Sequence, residues 1–298
     1  MLVISDLHIR PEAPRCRGEN DLDWAKHQFD RLAEVAHYAV EHKENVAIAG
    51  DIFHRATNPE WVANLFLSAF KPVVKAGQLV YIMMGNHDLK HRNSKDDKVS
   101  YDILKNVGEY GGIRLLGYEH HSIVEYGTET IVGRDKGDYL FLHVLTFKTD
   151  KDVPYGVTHY ETADSLFKKY PNFKYIVVGD QHNPFHVESK GRHVINCGCL
   201  TPQSIGEKDY KLGFWHITDA NIVQIPYKTA PYIIQTKGVK EEKERNDRIS
   251  KAMQGLADYD GKTIDFELIL LKALTSINDG DSITPMIQQW IEEVHNEQ

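Results

Sequence analysis

Apolar and polar positions follow two periods in the first third of the chain, one typical of helices and one typical of buried strands. Between Asp21 and His42, apolar side chains recur at the spacing of a helix that packs on one face. A second helical stretch begins near Asn58-Pro59 and continues to Lys75. Short apolar runs typical of buried strands alternate with these helices at 2–5, 46–49 and 79–84. The alternation predicts a βαβαβ block with a mostly parallel sheet.

Beyond Gly111 the pattern changes to short apolar runs with few helical stretches. These runs lie at 113–116, 121–125, 128–132, 139–145, 174–178, 185–188, 193–196, 213–218 and 222–227. We expect them to add a second, mixed or antiparallel sheet. After Pro231 the pattern predicts a separate βαβα module. The predicted class is therefore α/β, with two sheets and covering helices in residues 1–230 and a small α/β module in 231–298.

Composition and charge limit the class of protein. A chain of 298 residues with 41% hydrophobic content can bury one large core and carry a small second module. No stretch approaches the roughly 20 apolar residues of a membrane span, so we expect a soluble, cytoplasmic protein without membrane attachment. The 3 cysteines are too few for a disulfide framework or a four-ligand zinc site. The net charge of -8 opposes non-specific binding to polyanions, so a nucleic-acid role requires local basic patches or a basic partner.

Five polar motifs rich in Asp, His and Asn lie at or within the apolar runs. They are SDLH at 5–8, GDIFH at 50–54, GNHD at 85–88, LHV at 142–144 and GDQH at 179–182. Because the carboxyl ends of buried strands meet at one edge of a sheet, we expect these residues to form one site. Each motif alone is more often a turn than a ligand set, but five in this order are a strong signal.

The residue types in these motifs fit two adjacent divalent ions. Such a pair requires a bridging carboxylate, further oxygen and nitrogen ligands, and open positions for a water and a phosphate oxygen. Asp51 is a candidate bridge. Asp6 and His8 are separated by a single residue at the end of one strand, so both can face one ion. The remaining donors are Asn86, His143, Asp180 and His182.

The motif set resembles that of the calcineurin-like metallophosphoesterases. Within that superfamily, GDIFH with His54, and GNHD rather than GNHE, are similar to the DNA-repair exonuclease branch of SbcD, of which this chain would be a short bacterial or phage form. The segments NCGCLTPQSIGEKDYKLGFWHI (196–217) and IPYKTAP (225–231) are also similar to that branch. The resemblance implies a four-layer fold, with 231–298 as a shortened capping domain.

The resemblance also implies a role for each motif residue. One ion would be held by Asp6, His8 and His182, the other by Asn86, His143 and Asp180, and both by Asp51. His87 would contact the scissile phosphate and help the leaving oxygen depart, with His54 positioning the substrate or His87. The two ions, Mn²⁺ ahead of Mg²⁺, would lower the pKa of a bound water and stabilise the phosphate during in-line attack.

One position departs from the family pattern. The family usually has G-H-x-H, whereas this chain has Gly179-Asp180-Gln181-His182. A carboxylate therefore replaces an imidazole. Asp is still a good ligand for Mn²⁺ or Mg²⁺, and it makes the predicted site harder and more anionic.

Three functions remain open on the sequence. The first is a DNA exonuclease or endonuclease subunit for repair or recombination, which would work with an SbcC-like ABC-type ATPase and could form a homodimer. The second is a stand-alone phosphatase or phosphodiesterase acting on a small molecule or a protein. The third is a DNA-binding protein with a weakened site, and retention of the other ligands speaks against it.

Basic residues near GNHD and GDIFH bear on the choice between the first two functions. Candidate contacts to DNA phosphates are Lys90, Arg92, Lys95 and Arg55. Lys190 and Arg192 would extend such a patch. The other interpretation of the loop around Arg92 is an ordinary solvated surface, because Asp96 and Asp97 dilute its positive charge.

Overall fold

The computed structural model describes residues 1–89, 99, 100, 102–104, 113–115, 124–126 and 139–229, with 113–115 and 124–126 described by their backbone alone. These residues belong to one compact unit, Met1–Ile234. The loop with Lys90, Arg92 and Lys95, the predicted strand 128–132 and the predicted module 231–298 lie outside the described residues. The predicted division at residue 230 therefore stays a prediction.

Helices and strands alternate in the first part of the chain, and strands dominate the later part. In chain order, the described elements are β1 (Leu2–Ile4), α1 (Asp21–His42), β2 (Val46–Ile48), α2 (Glu60–Lys75), β3 (Val80–Ile82), β4 (Ile113–Leu115), β5 (Val124–Tyr126), β6 (Tyr139–His143), β7 (Thr146–Phe147), β8 (Glu161–Thr162), α3 (Ala163–Lys169), β9 (Tyr175–Gly179), β10 (Phe185–Ser189), β11 (Arg192–Asn196), β12 (Gly213–Ile217) and β13 (Ile222–Pro226). No helix among the described residues is long and apolar enough to cross a bilayer.

Helix α1 has the bounds that its periodicity predicts. The side chain of Asn20 accepts hydrogen bonds from the backbone N–H groups of Leu22 and Asp23, which stabilises the first turn. Lys43 ends the helix in a left-handed conformation, with φ 55°. The apolar stripe of the helix, which includes Trp24 and Leu32, is buried. Capping therefore sets both ends of this helix, and burial of one face stabilises the turns between them.

The described strands form two mixed sheets and one short pair. The first sheet has the order β13-β12-β1-β2-β3-β4, in which β1 to β4 are parallel and β12 and β13 are antiparallel. The second has the order β10-β11-β9-β6-β5, with the parallel strands β11, β9 and β6 at its centre. Strands β7 and β8 pair with each other. The predicted βαβαβ block is thus the parallel half of the first sheet.

Side chains along the central strands are all buried, and successive ones face different cores, because each sheet is covered on both faces. Leu2 and Ile4 of β1 pack in one core with residues of α1 and α2, whereas Val3 faces a second core shared by the two sheets. The far face of the second sheet packs on Leu166 and Phe167 of α3. The described residues therefore form helix, sheet, sheet and helix layers, which confirms the predicted class of two mixed sheets flanked by helices.

One part of the sequence prediction is wrong. The apolar pattern predicts that the strands beyond Gly111 form a second sheet together, but β4, β12 and β13 join the first sheet. In the pairing of β1 with β12, Leu2 lies opposite His216. Apolar alternation indicates that a strand is buried, but it does not indicate which neighbour the strand pairs with. Pairing between residues so far apart is decided by the tertiary fold.

Candidate metal centre and catalytic histidines

The motif residues lie at the carboxyl ends of parallel strands in both sheets. Asp6 follows β1, Asp51 follows β2, Asn86 follows β3, His143 ends β6 and Asp180 follows β9. The sheets meet at this edge, because the backbone N–H of Asp180 donates to both carboxylate oxygens of Asp6 at 3.1 Å. The strand-end argument from sequence is therefore matched by a physical contact between the two sheets.

Several of these residues have a strained backbone. Six non-glycine residues in the described part of the chain have positive φ, and four of them are predicted ligands. These four are Asp6 (φ 49°), His8 (45°), Asp51 (51°) and Asp180 (80°). A left-handed conformation costs a non-glycine residue roughly 1–3 kcal/mol, and such strain concentrates at functional sites. Tertiary contacts hold these side chains in directions that the local chain would not choose.

Asp6, His8 and His182 form one donor group. Their ligand atoms all lie within 4.8 Å of one another. Nε2 of His8 is 3.0 Å from Nε2 of His182, and each of these nitrogens is 4.0 Å from Oδ1 of Asp6. The side chains of Asp6 and His8 are almost fully buried. Two imidazole nitrogens and a carboxylate facing one point are a suitable set for a divalent ion.

Asp51 joins this group to a second one. Its Oδ2 lies 3.7 Å from Nε2 of His8, and its Oδ1 lies 3.3 Å from Nε2 of His143. Nε2 of His143 is in turn 3.9 Å from Oδ1 of Asp180. The two oxygens of Asp51 therefore face different donor groups, which is the geometry that a bridging carboxylate requires.

Hydrogen bonds set the orientation of two imidazoles. Nδ1 of His143 lies 2.8 Å from the carbonyl oxygen of Ala49, and because a carbonyl oxygen only accepts, Nδ1 carries the proton. Nδ1 of His182 is 3.0 Å from Oε1 of Glu207. In both rings the Nε2 atom faces the carboxylate cluster.

The electrostatics of the group are those of crowded, buried charges. Burial raises the pKa of Asp6 to about 6, although the charges of His143 and His182 oppose the shift. Burial would also raise the pKa of Asp51, but the charge and hydrogen bond of His143, together with the charge of His8, lower it instead. Burial opposes protonation of His182, but Glu207, Asp6 and Asp51 raise its pKa to about 9. Imidazole protons thus balance the carboxylates, and divalent cations would serve the same purpose.

The donor set fits two divalent ions. It contains the carboxylates of Asp6, Asp51 and Asp180 and the imidazoles of His8, His143 and His182, which are hard to borderline ligands. Oδ1 of Asn86 is buried and has no hydrogen-bond partner within the described part of the chain. A buried amide oxygen without a partner is costly in free energy, and metal coordination would remove that cost.

Two glycines make the close approach of these side chains possible. A Cβ atom on Gly85 would overlap the carboxylate and the backbone nitrogen of Asp51. A Cβ atom on Gly179 would overlap the carbonyl oxygen of Ala49 and approach Nδ1 of His143 to 2.8 Å. At both positions only hydrogen leaves enough space for the ligand set.

His87 lies next to His8, and one ligand nitrogen each of His8, His54 and His87 lies within 4.8 Å of the others. Its backbone N–H donates to Oδ1 of Asp51 at 2.9 Å, and its Nδ1 donates to the carbonyl oxygen of His54 at 2.8 Å. The ring centroid of His87 is 4.8 Å from that of His8. With Nδ1 used in this way, Nε2 of a neutral His87 is an acceptor, and Nε2 of a protonated His87 is a donor.

His54 supports His87 through its backbone, and Arg10 holds the ring of His54. Nη1 of Arg10 is 2.8 Å from Nε2 of His54, and because a guanidinium only donates, Nε2 accepts. Burial, followed by the charge of Arg10, lowers the pKa of His54 to about 3. His54 is therefore neutral near pH 7. Of the two predicted roles for His54, positioning of His87 is the one that these contacts support.

Sequence reasoning assigned no role to Asp88, although GNHD contains it. The fully buried carboxylate of Asp88 accepts backbone hydrogen bonds from Ile52 (3.1 Å), Phe53 (2.8 Å) and Gly85 (2.9 Å). These bonds tie the loop after β2 to the loop after β3. Burial and the charge of Asp51 raise the pKa of Asp88 to about 7. The sequence did contain a signal for Asp88, because it is the carboxylate that ends GNHD, a motif in which Asn86 and His87 already had predicted roles.

Three more supporting residues were missed. Arg10 contacts His54 as described, and Glu207 contacts His182. The hydroxyl of Ser5 makes a short hydrogen bond to Oδ2 of Asp6. Glu207 lies in SIGE, where sequence resemblance indicated only an acidic turn.

Arg55 and Arg192, two of the residues predicted to contact DNA phosphates, both make contacts within the protein. Nη1 of Arg55 pairs with Oε1 of Glu12 at 2.8 Å, and its side chain is 60% exposed. The guanidinium of Arg192 donates to the carbonyl oxygens of Phe173, Phe167 and Tyr170. Arg192 therefore stabilises the fold, and its place in a phosphate-binding patch stays a prediction. Lys90, Arg92 and Lys95 lie outside the described residues.

The family comparison agrees with this arrangement. The Calcineurin-like phosphoesterase family matches residues 1–184. The chain belongs to that family. It is a metal-dependent phosphoesterase, a hydrolase, and the predicted superfamily is confirmed. The match includes Asp6, His8, Asp51, His87 and His143, together with the other motif residues up to His182. Among curated protein sequences, none matches this chain.

Several solved structures are similar to parts of the chain. A novel archaeal phosphodiesterase has a TM-score of 0.41 at 12% identity, over 76% of this chain and 98% of its own. Phosphopantetheinyl hydrolase from Mycobacterium tuberculosis has a TM-score of 0.35 at 12% identity, over 65% and 87%. Vacuolar protein sorting 29 from Cryptosporidium parvum has a TM-score of 0.34 at 15% identity, over 78% and 97%.

Proposed function

We propose that this phosphoesterase is a two-metal phosphodiesterase that cleaves DNA, an SbcD-type exonuclease or endonuclease subunit that works with an ABC-type ATPase in DNA repair or recombination. The observation that carries the proposal is the pairing of His54 with His87 beside the donor groups. GDIFH and GNHD supply this pair, and they are the motifs that resemble the SbcD branch.

Seven side chains would hold the two ions. One ion would lie among Asp6, His8 and His182, the other among Asn86, His143 and Asp180, and Asp51 would bind both. We expect Mn²⁺, with Mg²⁺ as a second choice, because the set combines carboxylates with imidazoles. When bound, two such ions activate water and stabilise the charge on the phosphate that is attacked.

His87 would act on the leaving oxygen. Its Nδ1 donates to the carbonyl oxygen of His54, so the ring is held with Nε2 available to the substrate. Cleavage of a diester releases an alkoxide, which requires a proton more than a well-stabilised leaving group does. Burial and the charge of Arg10 keep the ring of His54 neutral, Arg10 also holds that ring in place, and the carbonyl of His54 keeps His87 in place. His87 would therefore supply the proton, and the seven ligands would bind the two ions.

The DNA and protein partners are part of the proposal. Lys90, Arg92 and Lys95 follow GNHD directly and would contact the phosphate backbone, with Arg55 at the same edge of the motif set. A basic ATPase partner would supply the additional positive surface that a chain of net charge -8 requires to bind DNA. A homodimer is also part of the proposal. The cytoplasm is the expected location of such a complex.

The second candidate is a stand-alone phosphodiesterase or phosphatase that acts on a small molecule or a protein. The observations that favour it are the net charge of -8 and the pairing of Arg55 with Glu12, which reduces the positive charge near His54. Both candidates use the same metal ligands, so the difference between them lies in the substrate.

A single assay separates the two. The purified full chain with Mn²⁺ would be given duplex DNA, single-stranded DNA, bis-p-nitrophenyl phosphate and p-nitrophenyl phosphate, with Asp51→Asn as the inactive control. We expect cleavage of DNA and of the diester, and little hydrolysis of the monoester. Hydrolysis of p-nitrophenyl phosphate far above that of every DNA would favour the second candidate. Charge reversal at Lys90, Arg92 and Lys95 should weaken DNA cleavage and reduce its dependence on salt.

A further inference from the structure

Glu207 lies directly behind His182, on the side of the ring opposite to Nε2. We propose that Glu207 is a positioning residue, which holds the His182 ring so that Nε2 is the nitrogen that binds metal. This inference rests on the proposed function, because it takes His182 as a ligand of one of the two ions.

The hydrogen bond between the two residues decides which nitrogen is available. Nδ1 of His182 is 3.0 Å from Oε1 of Glu207. An ionised carboxylate only accepts, so Nδ1 carries a proton, and a neutral ring then has its lone pair on Nε2. Nε2 faces Nε2 of His8 at 3.0 Å and Oδ1 of Asp6 at 4.0 Å. In the neutral ring, the nitrogen that faces the donor group is therefore the one without a proton.

Glu207 is itself held in place, so it can fix the ring. Its Oε2 accepts from the backbone N–H of Gln203 at 2.7 Å, and its Oε1 accepts from the hydroxyl of Ser204 at 3.0 Å. The backbone N–H of Cys199 also donates to the carbonyl oxygen of His182 at 3.2 Å. Both the ring and the backbone of His182 are thus tied to the segment 199–207. A partner of this kind typically changes metal affinity by 10- to 100-fold.

A merely structural role is the competing interpretation, because the bonds to Gln203 and Ser204 would order this segment even without His182. The two roles differ in what they require of the side chain. Positioning requires an acceptor at the distance of Nδ1, whereas an electrostatic or structural role requires the charge or the contacts to the segment. Substitutions that separate reach from charge distinguish positioning from an electrostatic role, and a background without the His182 ring distinguishes positioning from a structural role.

The experiment measures Mn²⁺ binding to the full chain by calorimetry in three variants. Glu207→Gln keeps an oxygen acceptor at the same reach without the charge, and we expect it to retain most of the affinity. Glu207→Asp keeps the charge, but its side chain is one methylene group shorter, so the carboxylate no longer reaches Nδ1 of His182. We expect affinity for one ion to fall about 10- to 100-fold. Ser204→Ala is the matched control, because it removes a contact of Glu207 without touching His182, and it should bind as the parent does. The reverse order of Gln and Asp, or a loss in Ser204→Ala equal to that in Glu207→Asp, would overturn the proposal.

A double-mutant cycle completes the test. If Glu207 acts through His182, Glu207→Asp should have no further effect on Mn²⁺ affinity in a His182→Ala background. Equal effects in both backgrounds would mean that Glu207 acts through the fold, and the proposal would be wrong. Because binding and not cleavage is measured, a parent protein that binds two ions but fails to cleave DNA would contradict the DNA proposal alone. A parent that binds no Mn²⁺ would overturn both.

Discussion

The two donor groups share Asp51 but are supported differently. On the His182 side (Asp6, His8 and His182), a carboxylate from outside the group holds the terminal ligand at hydrogen-bond distance. On the Asp180 side (Asn86, His143 and Asp180), the carbonyl oxygen of Ala49 holds the ring of His143, but Oδ1 of Asp180 lies 3.9 Å from Nε2 of His143, which is beyond hydrogen-bond distance. The Asp180 side also contains the departure from G-H-x-H. We infer that the His182 side is organised before an ion binds, whereas the Asp180 side is where metal preference is set.

Asp51→Asn should weaken metal binding on both sides, because Asp51 belongs to both donor groups. Its two oxygens face His8 and His143 separately, and an amide supplies one poor donor in place of two charged ones. We expect loss of two-ion binding in calorimetry and a decrease of at least about 10³-fold in phosphodiester cleavage, since ligands that act as a unit fail together. Asp30→Asn, on the surface of α1 where Asp30 pairs with Lys26, controls for the change in charge. Two tightly bound ions in the Asp51→Asn protein would show that Asp51 is not the bridge.

His87→Ala should leave metal binding unchanged on both sides and lower the rate of cleavage alone. The ring of His87 lies beside His8, and its Nδ1 is used on the carbonyl of His54, so we predict no loss of either ion. We expect kcat to fall by about 10²-fold while the binding of Mn²⁺ and DNA stays unchanged. Steady-state kinetics and calorimetry on the same preparation would check this. Loss of an ion, with cleavage recovered at high Mn²⁺, would instead make His87 a ligand.

Asp180 variants should affect the Asp180 side alone. Asp180→Ala removes one of few donors there, and we expect affinity for one ion to fall about 10- to 100-fold. Asp180→His restores the family pattern; it should stay active with Mn²⁺ and shift preference away from Mg²⁺, because imidazole is the softer ligand. Titrations of activity with each metal in the three proteins would check both results. Parent-like behaviour of Asp180→Ala with both metals would show that Asp180 does not touch the ion.

The smallest expected effect is a pH dependence of metal binding to which both sides contribute, because Asp51, Asp6 and Asp180 also raise the pKa of His143 well above its usual range, against the effect of burial. Glu207, Asp6 and Asp51 raise the pKa of His182 to about 9, so below that pH a proton must leave before Nε2 can bind metal. Mn²⁺ affinity should therefore rise with pH up to about 9, by about tenfold per unit for each proton displaced. Calorimetry in buffers of different ionisation enthalpy would count the protons. His182→Ala should reduce that count, and an unchanged count would assign the proton to another group.

The sequence by itself determined the local structure and the list of candidate ligands. The bounds of α1 followed from its apolar period, and the N-cap Asn20 found in the structure is also local in the chain. The ligand list followed from motifs at strand ends, because a strand of a parallel sheet presents its carboxyl end to the same edge as its neighbours. The branch within the family, the metal and the partners stay predictions.

Only the tertiary structure decided which strands pair and which residues support the ligands. β12 and β13 joined the first sheet although they are distant in sequence from β1, and a period of two along a strand carries no information about its partner. Asp88, Glu207 and Arg10 became meaningful only when the chain had brought them to Gly85, His182 and His54. The physical reason is the same in each case. Periodicity and caps are interactions within a few residues, whereas strand pairing and ligand support depend on contacts between distant segments, which form only when the whole core is packed.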